Sequence, residues 1–122
     1  MIIYKSDLIV KPIPDGETWE LVEDFEVTIN THTVIIVPKG FNTDFASIPK
    51  IFWTMIGSPA RGKYRKGAVI HDYLYALGIV PRKTCDDILY ECMISDGVPL
   101  LKAYLIYSAV RIGGYWSYKH NG

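Results

Sequence analysis

The segment Ala68-Val69-Ile70-His71-Asp72-Tyr73-Leu74-Tyr75 places a histidine and an aspartate inside an apolar run. On a helix, His71 shares its face with Ala68, Leu74, Tyr75 and Gly78, at spacings of three, four and seven. That face is small and apolar, so His71 is expected to point inward. A second segment, Cys85-Asp86-Asp87-Ile88-Leu89-Tyr90-Glu91-Cys92-Met93, does the same with a carboxylate. Asp86 lines up with Leu89, Tyr90 and Met93, whereas Asp87 lines up with Glu91 on a solvated stripe. Asp86 is then the inward acid. A carboxylate on an apolar face must find a partner or change its ionisation.

Only Gly78-Ile79-Val80-Pro81 separates the two segments. So short a link makes the helices antiparallel neighbours. Reflection about it places His71 opposite residues near 88, within one turn of Asp86. A buried His–Asp hydrogen bond is therefore expected. The carboxylate would fix the imidazole tautomer and raise its basicity, the orienting role found in general-base sites. The competing reading is a satisfied core histidine that staples two helices. Asp72 points about 100° away from His71. It is expected either to accept from Arg111 or Lys102, or to ligate a cation.

A third polar cluster is Gly40-Phe41-Asn42-Thr43-Asp44-Phe45-Ala46-Ser47, between aromatics at a strand-to-helix junction. Thr43, Asp44 and Ser47 are all capping residue types. The plain reading is a loop folded by its own side-chain hydrogen bonds. The functional reading has Asp44 join His71, Asp72 and Asp86 in lining one pocket.

The elements that must position these residues are also legible. Residues 1–40 read as mainly β. Leu8-Ile9-Val10 is a short apolar run, and Asp15-Gly16 is a hairpin signal. Trp19, Leu21, Phe25, Val27 and Ile29 then alternate with polar residues, apart from a slip at Val22. Asn30-Thr31-His32 is a turn before a further strand, Thr33 to Val37. From residue 47 the pattern becomes helical: 47–56, Tyr64 to Leu77, Arg82 to Ser95, and Pro99 to Gly113. Strands followed by helices argue an α+β fold. The expectation is a single domain over 1–122: an antiparallel hairpin or meander at 1–40, then about four helices over 47–117, with an antiparallel helix pair at 64–95.

The chain has 122 residues, 49% of them apolar and 21% charged, which excludes a disordered or fibrous protein. Basic and acidic residues number 13 each, so the net charge is zero. Nucleic acid is not expected as a partner, since that affinity rests on neutralising phosphates. Residues 1–61 carry 5 basic and 8 acidic side chains, and residues 62–122 carry 8 and 5. Eight of the nine tyrosines lie in the basic half. No signal peptide or transmembrane segment is expected. Cys85 and Cys92, seven residues apart on a helix, would be separated by about 10 Å of rise. A disulfide needs Cα atoms within about 7 Å. They read as reduced apolar side chains and make a weak zinc signal.

Two resemblances bear on function. The run Val37 to Pro49, the His71-Asp72-Tyr73-Leu74-Tyr75 box, Arg82 with Asp86 and Met93, and Tyr107, Ala109-Val110-Arg111 and Gly114 resemble a small domain-of-unknown-function family of tailed phages and prophages. It covers roughly residues 35 to 116. The resemblance implies a phage gene among neighbours serving tail assembly, host entry or lysis. More locally, His71-Asp72-x-x-Tyr75 followed by Asp86 is similar to the catalytic helix pair of secreted phospholipases. That likeness implies His71 as the base, Asp72 as a metal ligand, and Asp86 and Tyr75 as supports. The chain departs from it in lacking the glycine-rich calcium loop in the expected form, and Leu74 stands where a helix-stapling cysteine would be.

The expected function is a phage- or prophage-encoded accessory protein with a hydrolase-like site acting on a lipid or cell-envelope bond. His71, Asp86 and Tyr75 form its catalytic set. Asp44, Ser47 and Arg111 are candidate binding residues, and Asp72 is the metal candidate. A divalent cation, calcium or zinc, is the cofactor this pattern would admit. One alternative is a non-enzymatic virion (tail) or assembly protein whose His–Asp cluster is structural and whose Tyr104, Tyr107, Tyr115 and Tyr118 make an interface. The other is a binding module that blocks a host factor. Expected partners are other phage proteins or a host envelope component, and the expected location is host cytoplasm or virion.

Overall fold

Two compact units divide the chain, Met1–Asp44 and Phe45–Gly122. The computed structural model describes residues 1–16, 18–45 and 63–113. The helix expected over 47–56, the candidate Ser47 and the aromatic tail with Tyr115 and Tyr118 lie outside the described residues. The class is α+β, with antiparallel sheets first and three helices among the described residues.

The first unit holds β1 (Ile2–Tyr4), β2 (Val10–Pro12), β3 (Trp19–Leu21), β4 (Phe25–Ile29), β5 (Thr33–Val37) and β6 (Asn42–Thr43). They form two three-stranded antiparallel sheets, ordered β1-β4-β5 and β2-β3-β6. In β4 the alternation works as expected. Phe25, Val27 and Ile29 are buried, and Glu26 and Thr28 face the other way. β5 returns in register, with Phe25 opposite Val37 and Ile29 opposite Thr33. Asn30 takes a left-handed φ of 60° at the turn, a conformation asparagine tolerates. At the β2–β3 hairpin, the Thr18 amide donates to Asp15 Oδ1 at 2.8 Å, and Gly16 adopts φ 82°.

One expectation needs correction. The alternating run from Trp19 to Ile29 is not one strand. It breaks at Val22–Asp24, where the chain leaves one sheet for the other. Side chains pin the break: Asp24 Oδ1 accepts from the Lys39 amide at 2.7 Å, and Ser6 Oγ accepts from the Glu26 amide at 2.8 Å. The apolar run at Leu8 also starts its strand later, at Val10.

The second unit begins at Phe45, which is buried with a left-handed φ of 58°. A bulky side chain there costs about 1–2 kcal/mol. Its ring lies 5.5 Å from the Arg65 guanidinium. The helices are α1 (Arg65–Leu77), α2 (Arg82–Ser95) and α3 (Leu100–Gly113). Gly78 ends α1 with φ 66°, its amide donating to Leu74 O. Pro81 then starts α2 from an extended backbone. Gly67 explains how closely α1 and α2 pack. A Cβ placed on it would lie 2.8 Å from Cys92 Cβ, closer than real side chains approach. Buried side chains of the three helices include Ala68, Ile70, Leu74, Leu89, Met93, Ala103 and Ile106.

Candidate functional site

The helix pair delivers His71 to Asp86. His71 is one turn beyond Gly67 on α1, and Asp86 is between one and two turns back from Cys92 on α2. The Gly67–Cys92 contact therefore sets their separation. His71 Nε2 lies 2.6 Å from Asp86 Oδ1, and the Tyr75 hydroxyl donates to the same oxygen at 2.5 Å. The other oxygen, Oδ2, accepts from Arg111 at 2.8 Å, with Arg82 at 3.7 Å. Asp86 is fully buried at 0% exposure and His71 is exposed by 1%. Hydrogen-bond donors from α1 and α3 thus converge on one buried carboxylate of α2, with the Arg82 charge beside it. Asp87 sits outward, as expected, paired with Lys83 at 2.9 Å.

The electrostatics follow from this crowding. Burial alone would push the Asp86 carboxyl up, but bonds from His71, Tyr75 and Arg111 outweigh it and hold the acid below its usual range. Burial alone would push the His71 imidazole down. The Asp72 and Asp86 carboxylates outweigh it and hold the imidazole above its ordinary value. Burial, then the bond to Asp86, raises the Tyr75 phenol, so it remains a donor.

An ionised carboxylate accepts only, so Nε2 carries the proton. Nδ1 is therefore the nitrogen with a lone pair when the ring is neutral. It is buried without a hydrogen-bond partner among the described residues. Its near neighbour is Asp72 Oδ1 at 3.9 Å, beyond hydrogen-bond reach and acting through charge. The His71 and Tyr75 rings pack at 4.0 Å between centroids.

The remaining candidates divide by place. Arg111 binds Asp86 rather than waiting for a ligand. Asp44 is the last residue of the first unit, whereas His71, Asp72 and Asp86 belong to the second. Among the described residues, no group of three or more His, Cys, Asp or Glu side chains could hold a metal ion. No disulfide joins Cys85 and Cys92, and burial pushes the Cys85 thiol up to about 12. Thr43, expected as a cap, is instead buried in β6 opposite Trp19.

Sequence reasoning passed over Arg82 as a site residue. Its Nη1 approaches Asp86 and also donates to Arg111 O at 3.0 Å and Val110 O at 3.4 Å, at the end of α3. The i,i+4 spacing of Arg82 and Asp86 was the available signal. The carbonyl contacts had none, because they join residues 28 and 29 apart.

An α+β chain with a buried histidine–aspartate pair across two antiparallel helices is thus the class that fold and site define. The chain belongs to the family described as "Protein of unknown function (DUF1353)", which matches residues 19–110. It is 38% identical over 99 residues to "Uncharacterized protein y4jT" of Sinorhizobium fredii (strain NBRC 101917 / NGR234), covering 79% of this chain and 29% of that protein. It is 35% identical over 81 residues to "Uncharacterized protein y4iH" of the same organism, covering 66% of this chain and 34% of that protein. The chain therefore spans about a third of the length of these curated relatives. No solved structure matches. No helix among the described residues is long and apolar enough to cross a membrane.

Proposed function

We propose that this is a phage- or prophage-encoded hydrolase in which His71 is the general base, acting on an ester bond of a lipid or cell-envelope substrate. The observation that carries the reading is the unpartnered Nδ1. A core staple satisfies both ring nitrogens, because an orphaned buried polar atom costs about 1–3 kcal/mol. A general base instead keeps one nitrogen open for the proton it will take. In the proposed step, neutral His71 Nδ1 removes a proton from water and the oxygen attacks the acyl carbon. The carbon–oxygen ester bond then breaks, and the leaving alkoxide takes the proton back from the imidazolium. Asp86 holds the ring, while Tyr75 and Arg111 hold Asp86. Asp72 is the residue that would lean on a cation, should the reaction use one. The phage assignment rests on the sequence resemblance alone.

Enclosure favours a second reading. His71 and Asp86 are sealed from solvent, and Arg111 covers Oδ2. A non-enzymatic virion or assembly protein would use the same cluster to lock its helices.

Fatty-acid release from phospholipid vesicles by the purified protein, compared with His71→Ala, separates the two. The hydrolase reading expects turnover that falls by about 100-fold or more in the variant, with the melting temperature little changed. No turnover by the parent protein, or a variant that merely unfolds, would favour the structural reading.

A further inference from the structure

A second chemical feature lies on the outer side of the same helical unit. On α2, Asp87, Tyr90 and Glu91 are spaced three and four apart and share one face. On α3, Tyr104 and Tyr107 are spaced three apart. These five side chains line a cavity of about 380 Å³. Tyr90 and Tyr107 meet edge to face, with centroids 5.6 Å apart and planes at 73°, so they form two walls at a steep angle. The Tyr107 hydroxyl donates to Asp87 Oδ1 at 2.7 Å, which fixes that ring. Tyr104, also in the lining, is 60% exposed.

The charges select the ligand. Lys83 neutralises Asp87 through Oδ2 at 2.9 Å, and Tyr107 occupies Oδ1. Glu91 has no ion pair among the described residues and is exposed, so it supplies the cavity's uncompensated negative charge. Among the described residues, the rest of the lining is aromatic. Ring faces attract cations, and they favour weakly hydrated ones that have no N–H groups to satisfy. A primary ammonium would leave donors without acceptors against the tyrosine faces.

We propose that the cavity between α2 and α3 is a binding site for a quaternary ammonium group of the choline type. Tyr90, Tyr104 and Tyr107 form the cage and Glu91 supplies the counter-charge. The site stands independently of the hydrolase reading, because none of its residues belongs to the His71 cluster.

The test is a titration of the whole protein with choline chloride, followed by tyrosine fluorescence and amide chemical shifts, with ammonium chloride as the matched control. The expected result is a saturable response in the millimolar range, with shifts confined to α2 and α3. Tyr104→Ala should weaken it about tenfold and Glu91→Gln about fivefold. Both residues are exposed, so both variants should fold, which circular dichroism checks. Phosphatidylcholine vesicles form a second arm, with phosphatidylglycerol vesicles as the control. Vesicle binding lost in Tyr104→Ala assigns the cation to a lipid headgroup, and saturable binding of choline without vesicle binding assigns it to a soluble molecule. No saturable response to choline or to tetramethylammonium overturns the proposal. So does an equal response to ammonium, or undiminished binding by Tyr104→Ala.

Discussion

His71 Nε2 lies 2.6 Å from Asp86 Oδ1, and this one contact decides which ring nitrogen keeps its lone pair. With Asp86 held ionised by its donors, the neutral ring must carry its proton on Nε2. Nitrogen-15 correlation spectra recorded above the raised His71 pKa should report the Nε2–H tautomer. They should also show a strongly deshielded Nε2 proton that disappears in Asp86→Asn. A resonance pattern of the Nδ1–H tautomer would contradict the bond.

Asp86 is expected to be the most damaging single polar position in the helical unit. Removing it strands the Arg111 guanidinium, the Tyr75 hydroxyl and the His71 ring together. Breaking one side of a buried ion pair costs about 3–5 kcal/mol, so urea melts of Asp86→Ala should show a loss of that order. Tyr75→Phe removes a single bond to a charged acceptor and should lose about 1.5–3 kcal/mol. If Asp86→Ala lost no more than Tyr75→Phe, the convergence on this carboxylate would carry no energetic weight.

Acidity should shape stability on two sides. The His71 pKa is raised, so its contribution is complete below the unfolded value of 6.5 and fades as pH climbs through the folded one. The Asp86 pKa is lowered, so its contribution is present above 3.8 and fades as pH falls through the folded value. Stability from this pair should therefore be greatest between 3.8 and 6.5. Melting temperature against pH should decline above that window in the parent protein. The decline should flatten in His71→Ala, and parallel curves would exclude His71 as its source. A general base must be neutral, so any hydrolytic rate should rise over the same range in which stability declines.

Gly67→Ala tests the close approach that sets the site. The added methyl meets Cys92 Cβ at 2.8 Å and Leu89 Cδ1 at 3.2 Å. Alanine normally favours a helix, so any loss must come from the contact. Overpacking of this kind costs about 1–3 kcal/mol. Cys92→Gly in the same chain should relieve part of the clash. A Gly67→Ala protein more stable than the parent would show that the helices can separate freely.

The helix pair was the most legible part of the molecule. Apolar spacing identified both helices, and the Gly78–Pro81 link fixed their antiparallel course. Gly67 opposite Cys92 and His71 beside Asp86 obey the reflection expected from that link. The sheets were less legible. Periodicity shows which side of a strand is buried but not where the chain changes sheets, and the break at Val22–Asp24 depends on Ser6 and Lys39, both distant in sequence. β1 and β6 are 3 and 2 residues long, too short for alternation to declare itself. The sequence does not pair Arg111 with Asp86, because the two are 25 residues apart. From the sequence, Tyr104 and Tyr107 read as an interface, since no spacing rule shows that two helix faces line a cavity.

His71 and Tyr75 from α1 and Arg111 from α3 reach the same carboxylate on α2, with Arg82 beside it, and this ties the timing of their motions together. The last turn of α3 cannot fray without leaving Asp86 short of its main counter-charge, and α1 cannot lift without uncovering the same group. Native-state hydrogen exchange should then find the amides around Leu74, Leu89 and Ile106 opening in one event with a common free energy. The α3 terminus beyond Arg111 should exchange early and alone.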